Sequence, residues 1–304
     1  MESENQDYHE VITDKKEIEA LEKFKTNLKM IINKNDKTFI NPLVLSDNDT
    51  LIIFLRARYL DINKATTMIS NYFQWKETIK LDDIYLNYEF KEKNRLKLLF
   101  PHGFHKMTKD GYPIYLHTMA CLNLEEFYKI ATPEEMAKFA IKTVEGVIRE
   151  YFKACSQLKG SYIYGVFGIV DFRGINSSIL SKKFMSYTRA LLKLLDYYPE
   201  LVEAGYVINA GLIFRAFYSA CKIFIDSRTR KKIKVFGSNY QQYLLEKVDK
   251  ENLPKFFGGE CECPGGCLFS NAGPWKKPGE IEEELPDDIL KRREEINHIM
   301  ATKK

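Results

Sequence analysis

A basic segment is the part of the sequence whose side chains could bind a charged ligand. Positions 215–234 carry seven Lys or Arg residues and a single acidic one, Asp226. Five of these cations fall within seven positions: Arg228, Arg230, Lys231, Lys232 and Lys234. Fixed cations neutralise phosphate through charge-assisted hydrogen bonds, and a surface this basic also attracts an anionic membrane. The segment therefore predicts contact with a phosphate or with a membrane surface.

The residues directly before and within the start of this segment are mostly apolar. Positions 212–225 read LIFRAFYSACKIFI, which is long enough for a helix and apolar on nearly every side. A hydrophobic helix beside a cluster of cations suits a ligand with an acidic head and a hydrophobic body. The two segments together predict such a ligand.

Three cysteines, Cys261, Cys263 and Cys267, lie close together with C-x-C-x3-C spacing. A structural zinc site needs four ligands, supplied by Cys or His. No histidine is close to this cluster in the sequence. We therefore expect ordinary reduced loop cysteines and no metal site. His102, His105 and His117 lie close to one another in the sequence, but their spacing fits no common ligand pattern.

The sequence offers little that could catalyse a reaction. It lacks the G-x-x-x-x-G-K-[ST], G-x-G-x-x-G and G-x-S-x-G motifs of common nucleotide-binding proteins and hydrolases. Asp171 and Glu200 both follow apolar segments, where α/β proteins often place functional groups. Nothing supplies a nucleophile for such a carboxylate pair. His102, His105 and His117 are interpreted as structural or surface residues. We expect no catalytic residues, no cofactor and no enzymatic activity.

Composition sets the class of protein. The 304 residues are 45% hydrophobic and 29% charged, which allows a full hydrophobic core. The formal net charge of +4 is too small to predict nucleic-acid binding. No apolar run reaches the roughly 20 residues that a membrane-spanning helix needs. The polar, acidic N-terminus does not resemble a signal peptide, so we expect a cytoplasmic protein.

Local patterns predict a small helical domain over residues 14–90, after a polar tail at 1–13. Asp14 can cap a first helix whose apolar residues keep to one face. Residues 46–49 give a second capping signal, and a third helix begins near Asn63.

From residue 91 the pattern changes to that of an α/β domain, predicted to extend to 275. Residues 109–111, Lys-Asp-Gly, form a turn between two short strands. The capping box at 132–135 opens a helix that can continue to Gly160. Short apolar strands then alternate with long helices, which predicts a largely parallel sheet covered by helices. Residues 276–304 read as a charged helical tail on the surface.

Eight short stretches resemble motifs of a known family: FLRARYLDINKA (54–65), HKMTKDGYPIY (105–115), VDFRGI (170–175), YYPE (197–200), VINA (207–210), GSNY (237–240), ENLPKFFGG (251–259) and GPW (273–275). In this order they resemble the CRAL-TRIO lipid-binding family, and within it the secretory-pathway phosphatidylinositol/phosphatidylcholine transfer proteins. The resemblance implies a helical N-terminal domain and an α/β domain whose sheet floors a hydrophobic pocket for one lipid.

The family resemblance also implies roles for particular residues. Arg58, Glu200, Thr229 and Lys232 match the residues that contact the phosphatidylinositol headgroup. The gate helix that closes the pocket maps onto residues 212–225, with the apolar residues Leu212, Phe214, Phe217, Ile223 and Phe224. Arg228, Arg230 and Lys231 remain as candidates for the membrane surface.

The sequence departs from the family pattern at two places. Tyr59 stands where these proteins carry a lysine after the phosphate arginine. In the choline-lipid pocket, Val166 and Gly168 stand where a serine and a threonine are expected. Phe104 replaces the expected tyrosine, and Leu201 replaces the expected arginine. Of that set only Tyr115 is kept. We therefore expect no phosphatidylcholine binding in the usual mode and, if there is a second ligand, a less polar one.

The resulting hypothesis is a monomeric phosphatidylinositol carrier that docks transiently on membranes and transfers the lipid or presents it to lipid kinases. One alternative is a carrier of another hydrophobic molecule, such as a sterol, tocopherol-like or retinoid-like compound. A second is a protein-interaction module that transfers no lipid.

Overall fold

The computed structural model describes residues 7–34, 39–276 and 285–302. Parts of both predicted tails, residues 1–6, 277–284 and 303–304, lie outside the described residues. The helices of the N-terminal part are α1 Lys15–Lys34, α2 Asn48–Ala57, α3 Ile62–Thr78, α4 Leu81–Asn87 and α5 Lys93–Leu99. The later helices are α6 Leu124–Ile130, α7 Pro133–Gly146, α8 Phe152–Lys159, α9 Lys182–Leu194, α10 Leu212–Cys221, α11 Ser227–Lys232, α12 Gln241–Lys247 and α13 Asp287–Thr302.

Within the described residues, five strands form one sheet in the order β1-β2-β3-β4-β5: β1 His102–Met107, β2 Pro113–Thr118, β3 Val166–Asp171, β4 Val202–Ile208 and β5 Ile233–Val235. The first pair is an antiparallel hairpin, closed by the predicted turn at 109–111. The other three pairings are parallel. The predicted α/β class with a largely parallel sheet is therefore confirmed.

The two faces of the sheet have different roles, because side chains alternate between faces along a strand. One face carries the largest buried core side chains: Ile114, Leu116, Phe167, Ile169, Tyr206 and Ile208. These pack with residues of α12 and α13. The opposite face carries a mixture of aromatic, aliphatic and glycine residues, and it forms the floor of a cavity described below.

Side-chain caps fix where several helices begin. Asp47 caps α2 and Asp61 caps α3 by accepting hydrogen bonds from backbone N–H groups. Thr132 and Glu135 form the complete predicted capping box of α7. After α7 the helix continues through one π-helical turn, Val147–Tyr151, and through α8 to the left-handed Gly160, where it was predicted to end.

The helical N-terminal part has its own core and also contacts the sheet domain. Helices α1, α2 and α3 bury residues that are fully inaccessible to solvent: Phe24, Leu28, Leu51, Ile52, Leu55, Ala65 and Ile69. Trp75 of α3 stacks on Tyr197 with ring centroids 4.1 Å apart. Arg149 donates to Asp82 at 2.6 Å, which ties the π-helical turn to α4. The change of pattern at residue 91 does not start the sheet, because α5 intervenes before β1.

The C-terminal helix α13 is more deeply embedded than a surface tail. Ile289, Ile296 and Met300 are buried in the same core as one face of the sheet. Leu290, on the other side of the helix, is 45% exposed. The predicted helix is therefore present, but its apolar face packs against the sheet domain instead of lying on the surface.

Candidate functional site

An apolar cavity of about 470 Å³ lies on the second face of the sheet. One row of neighbouring strand residues crosses its floor: Phe104, Tyr115, Gly168, Gly205 and Ile233. Helices α7 and α9 cover it with apolar side chains, among them Phe139, Val144, Leu191 and Leu192. The sheet and two helices therefore enclose a space suited to hydrocarbon.

Two adjacent glycines make the middle of the floor deep. A Cβ atom at Gly168 would meet no heavy atom closer than 4.0 Å, and one at Gly205 would meet Ile233 Cγ1 at 3.6 Å. Neither glycine is therefore required by crowding at its own Cβ. What their missing side chains provide is room inside the cavity.

The four residues assigned to the pocket from the sequence all line this cavity: Phe104, Tyr115, Val166 and Gly168. Leu201, the other departure from the choline-lipid pattern, also lines it. These positions offer hydrocarbon rather than hydroxyl or cationic groups. Tyr115 is the exception, and burial raises the pKa of its hydroxyl above the usual value.

Two histidines border the same cavity. His102 and His117 face each other across the hairpin and are both buried. Burial lowers the pKa of His102 to about 4 and that of His117 to about 3, with smaller contributions from Lys97 and His102 respectively. His102 Nδ1 lies 2.7 Å from the Phe100 carbonyl oxygen. Both imidazoles are therefore neutral at neutral pH, so the cavity holds no histidine cation.

A cluster of charged side chains lies at the end of the sheet where the parallel strands begin. Lys232 donates to Glu200 Oε2 and to the Val202 carbonyl oxygen, each at 2.8 Å. Arg228 donates to both oxygens of the same carboxylate. Thr229, one turn from Lys232 on α11, lines the apolar cavity. Hydrocarbon-lined space and a charged site thus meet at this helix.

Arg58 joins the charge cluster indirectly. Its Nη1 lies 3.6 Å from Asp226 Oδ2, and Asp226 in turn caps α11 by accepting from the Arg228 N–H at 2.8 Å. Arg58 also lines an open polar cleft of about 840 Å³ together with Asp196. Burial raises the pKa of Asp196, while the Arg58 cation opposes this shift. Arg58 therefore touches the end of α11 but does not line the apolar cavity.

Arg228 has a different place from the one predicted for it. The sequence suggested a residue on the membrane surface, but the Arg228 side chain is only 30% exposed and is paired with Glu200. Its guanidinium also lies over the ring of Tyr59, 5.6 Å from the centroid. Arg230 and Lys231 are exposed, as a surface role requires. Of the four basic side chains of α11, Arg228 and Lys232 both turn inward to Glu200, so Arg228 is not free to face a membrane.

The five gate residues divide between two environments. Phe214 and Phe217 are buried against Phe172 and its neighbours on the protein side of α10. Leu212 and Ile223 are 81% and 70% exposed, and Phe224 is half-buried. None of the five lines the cavity in this structure. That role falls to Ile225, just after them, and to Thr229.

Asp171 and Glu200 are not brought together. Asp171 ends β3, whereas Glu200 precedes the start of β4. Because these two strands are parallel, the two carboxylates lie at opposite ends of the strands. Asp171 is fully buried and paired with Arg173, and it accepts a hydrogen bond from Asn209 at 2.7 Å. Its role here is to hold chain segments together.

The cysteine cluster does acquire a histidine in three dimensions. His105 Nδ1 lies 4.0 Å from Cys263 Sγ, although the two residues are 158 positions apart. The expectation of ordinary loop cysteines rested on the lack of a nearby histidine, and the fold brings a histidine to the cluster. Sequence spacing could not reveal this contact, because it depends on how the loop folds over β1.

Comparison with known proteins bears on these features. A model of the CRAL/TRIO domain matches residues 100–259, more than half of the chain. The chain belongs to the CRAL/TRIO family. These residues contain the whole sheet, both helices over the cavity, and α10 and α11.

Relatives in this CRAL/TRIO family include transfer proteins. The chain is 37% identical over 244 residues to the phosphatidylinositol/phosphatidylcholine transfer protein SFH11 of Arabidopsis thaliana, covering 79% of this chain and 65% of that protein. It is 35% identical over 229 residues to the Sec14 cytosolic factor of Schizosaccharomyces pombe, covering 75% of this chain and 80% of that protein.

A solved structure shares the fold. The crystal structure of Sfh5 superposes with a TM-score of 0.58 over 77% of this chain and 85% of that chain, at 16% identity. Among the described residues, no helix has the length and hydrophobicity needed to cross a membrane.

Proposed function

We propose that this chain binds a single phospholipid, phosphatidylinositol, and carries it between membranes or presents it to lipid kinases. The main support for the proposal is that the apolar cavity and a cationic site adjoin each other at α11. Thr229 borders the apolar cavity, and Lys232 and Arg228 on the same short helix form a cationic site with Glu200. Phosphatidylinositol combines acyl chains with a phosphate and a hydroxyl-rich ring, which suits this pair of environments.

The energetics of extraction require a cavity of this kind. Removing a lipid from a bilayer costs about 0.8 kcal/mol of free energy for each methylene. For a diacyl lipid, apolar contacts with the protein must therefore offset on the order of 20 kcal/mol. The sheet face and the two covering helices provide apolar contact for that purpose. A cavity of about 470 Å³ falls within the roughly 300–1,000 Å³ range of ordinary small-ligand pockets. A phospholipid is larger than such ligands, so elements around the cavity must move outward to admit it.

Glu200 has a defined part in the proposed headgroup site. In this structure its carboxylate satisfies Arg228 and Lys232. A lipid phosphate would compete for the same donors, because its oxygens accept charge-assisted hydrogen bonds from Arg and Lys just as a carboxylate does. The released carboxylate could then accept hydrogen bonds from inositol hydroxyls. The ion pairs thus keep the cations oriented while no phosphate is bound.

The membrane-facing side of the proposed carrier lies around α10 and α11. Leu212 and Ile223 are large apolar side chains exposed to solvent, and Arg230 and Lys231 are exposed cations nearby in sequence. Exposed apolar groups beside cations are typical of surfaces that dip into an anionic membrane.

The test is direct identification of bound lipid. Purified protein is incubated with liposomes of defined composition, re-isolated, and its retained lipid identified by mass spectrometry. We expect phosphatidylinositol at up to one molecule per chain. Arg58→Ala and Lys232→Ala should lower its transfer while the circular dichroism spectrum stays unchanged. Absence of retained inositol lipid, or normal transfer by both variants, would refute the proposal.

A less polar ligand is the second candidate, favoured by the apolar character of Phe104, Val166, Gly168 and Leu201 in the cavity. Two variants together separate the candidates, and the first, Gly168→Val, fills the cavity without touching the charge cluster. We expect it to reduce retention of every hydrophobic ligand, whereas Lys232→Ala should reduce retention of inositol lipid alone. A sterol or similar molecule retained equally by wild type and Lys232→Ala would favour the second candidate.

A further inference from the structure

Four potential metal ligands converge on the side of β1 away from the cavity. They are His105, Cys261, Cys263 and Cys267, and their ligand atoms all lie within 4.8 Å of one another. His105 is fully buried, Cys261 and Cys267 are buried, and Cys263 is half-buried. The cluster is separate from the cavity, since none of the four lines it.

The distances in the cluster are close to those of a tetrahedral zinc site. Zn–S bonds of about 2.3 Å in tetrahedral geometry place two sulfur atoms about 3.8 Å apart. Cys261 Sγ and Cys263 Sγ are 3.7 Å apart, and Cys263 Sγ lies 4.0 Å from His105 Nδ1. The longest separation, up to 4.8 Å, exceeds the tetrahedral edge by about 1 Å. Small side-chain rotations suffice to close this difference.

The loop that carries the cysteines is shaped so that its side chains point together. Cys261 N–H donates to the Leu253 carbonyl oxygen at 3.0 Å, which fixes the first ligand against the preceding turn. Gly265 and Gly266 have φ of 70° and 94°, so the chain reverses between Cys263 and Cys267. Only glycine adopts this conformation freely. A Cβ at Gly266 would also overlap Asn297 of α13, at 2.1 Å from its Oδ1.

Neighbouring groups support the ligands from outside. Ser270 Oγ lies 3.3 Å from His105 Nδ1 and donates to the Cys267 carbonyl oxygen at 3.3 Å. The backbone N–H of Ala272 donates to the same Ser270 hydroxyl at 3.4 Å. Structural metal sites depend on such outer contacts to orient their ligands. Rotation of the Ser270 hydroxyl would leave the imidazole nitrogen available to a metal.

We propose that His105, Cys261, Cys263 and Cys267 form a structural Cys₃His zinc site. Zinc is the metal favoured by three thiolates and one imidazole in a closed, tetrahedral, buried arrangement. Binding releases the thiol protons, and Zn²⁺ with three thiolates and a neutral imidazole carries one net negative charge. All four positions are filled by the protein, so the site has no open coordination for catalysis.

The zinc site would fasten the loop that carries the three cysteines to strand β1 of the sheet. His105 belongs to edge strand β1, and the cysteines belong to the loop that leads to Trp275, which stacks on Tyr151 at 4.4 Å. Asn297 of α13 donates to the Gly265 carbonyl oxygen at 3.1 Å. The metal would therefore stabilise the loop, its contact with α13 and the covering of an exposed sheet edge.

Metal analysis of the full chain tests the proposal. Protein expressed in zinc-supplemented medium and purified without chelators should contain about one zinc per chain by inductively coupled plasma mass spectrometry. Cys263→Ser should lose this zinc and melt at a lower temperature. The control Cys155→Ser, which replaces a buried cysteine outside the cluster, should keep it. Zinc kept by Cys263→Ser would overturn the assignment.

Cobalt substitution keeps the test informative if Cys263→Ser does not fold. Wild-type protein stripped of metal and titrated with Co²⁺ should develop tetrahedral d–d bands and a thiolate-to-cobalt charge-transfer band, saturating at one equivalent. Absence of both zinc and these bands would overturn the proposal. Disulfide-linked peptides from the three cysteines in a non-reduced digest of the protein as purified, before any metal is removed, would also overturn it. Because the readout is the metal, the result is independent of any lipid bound in the cavity.

Discussion

Lys231 and Lys232 are neighbours with the same charge, yet only Lys232 turns toward Glu200 and the edge of the cavity. Loss of a charged hydrogen bond costs about 1.5–3 kcal/mol, so Lys232→Ala should weaken retention of phosphatidylinositol by about ten- to a hundredfold. Lys231→Ala is the matched control and should change retention by less than about twofold. Quantitative lipid mass spectrometry after liposome incubation measures both. Equal losses in the two variants would mean that only overall charge matters.

His102 and His117 give the second residue-level prediction, a loss of stability in acid. Their pKa values are about 4 and about 3 in the folded protein, below the ordinary value of about 6.5. The unfolded chain therefore binds more protons below pH 6.5, and the free energy of unfolding falls as the pH drops from there toward 4. Each histidine contributes about 1.4 kcal/mol per pH unit in this window.

Urea unfolding at several pH values between 7 and 4.5 measures the effect. Stability should be level above pH 6.5 and fall below it. His117→Asn removes one titrating group, so its slope should be shallower than that of the wild type, whatever its stability at pH 7. An unchanged slope would show that His117 is not held neutral by burial.

At the scale of elements, α10 together with the turn after it has one face packed on the protein and another exposed. The double variant Leu212→Ser/Ile223→Ser should slow lipid transfer between vesicles by at least about tenfold. The reason is that each of the two apolar side chains can contribute about 1.5–3 kcal/mol to membrane docking when it leaves water. Lipid content of the isolated protein should not change, since neither residue lines the cavity. Fluorescent-lipid transfer between donor and acceptor vesicles gives the rate.

The matched control for the gate variant is Leu86→Ser with Leu158→Ser. These leucines are 67% and 66% exposed and lie on α4 and α8. Their replacement should leave the transfer rate unchanged. A similar decrease in both double variants would show that general surface hydrophobicity, rather than the position of α10, governs membrane docking.

At the scale of the whole molecule, α13 completes the core on the far face of the sheet. Ile296 is fully buried there, and replacing a buried isoleucine by alanine costs about 2–5 kcal/mol. Ile296→Ala should therefore lower the free energy of unfolding by that amount. Leu290→Ala, on the exposed side of the same helix, should cost less than about 1 kcal/mol. Chemical denaturation of both variants distinguishes an integral helix from an appended one.

Much of the fold could be predicted from local patterns. The capping box at Thr132, the left-handed Gly160 and the alternation of apolar strands with helices all correspond to the structure. Local patterns succeed here because a cap or a strand period acts within a few residues of itself. They failed at residues 93–99, where a short helix precedes the sheet, because seven residues give too little periodicity to read.

What the sequence determined by itself was the α/β class, the apolar helix, the basic segment after it and the departures from the choline-lipid pattern. Only the tertiary structure decided which groups meet. Glu200 pairs with Arg228 across 28 positions, and His105 reaches Cys263 across 158. Residue type and spacing specify local backbone and the buried face of each element. The partners of a side chain depend on how distant segments pack, and that is settled by the whole chain together.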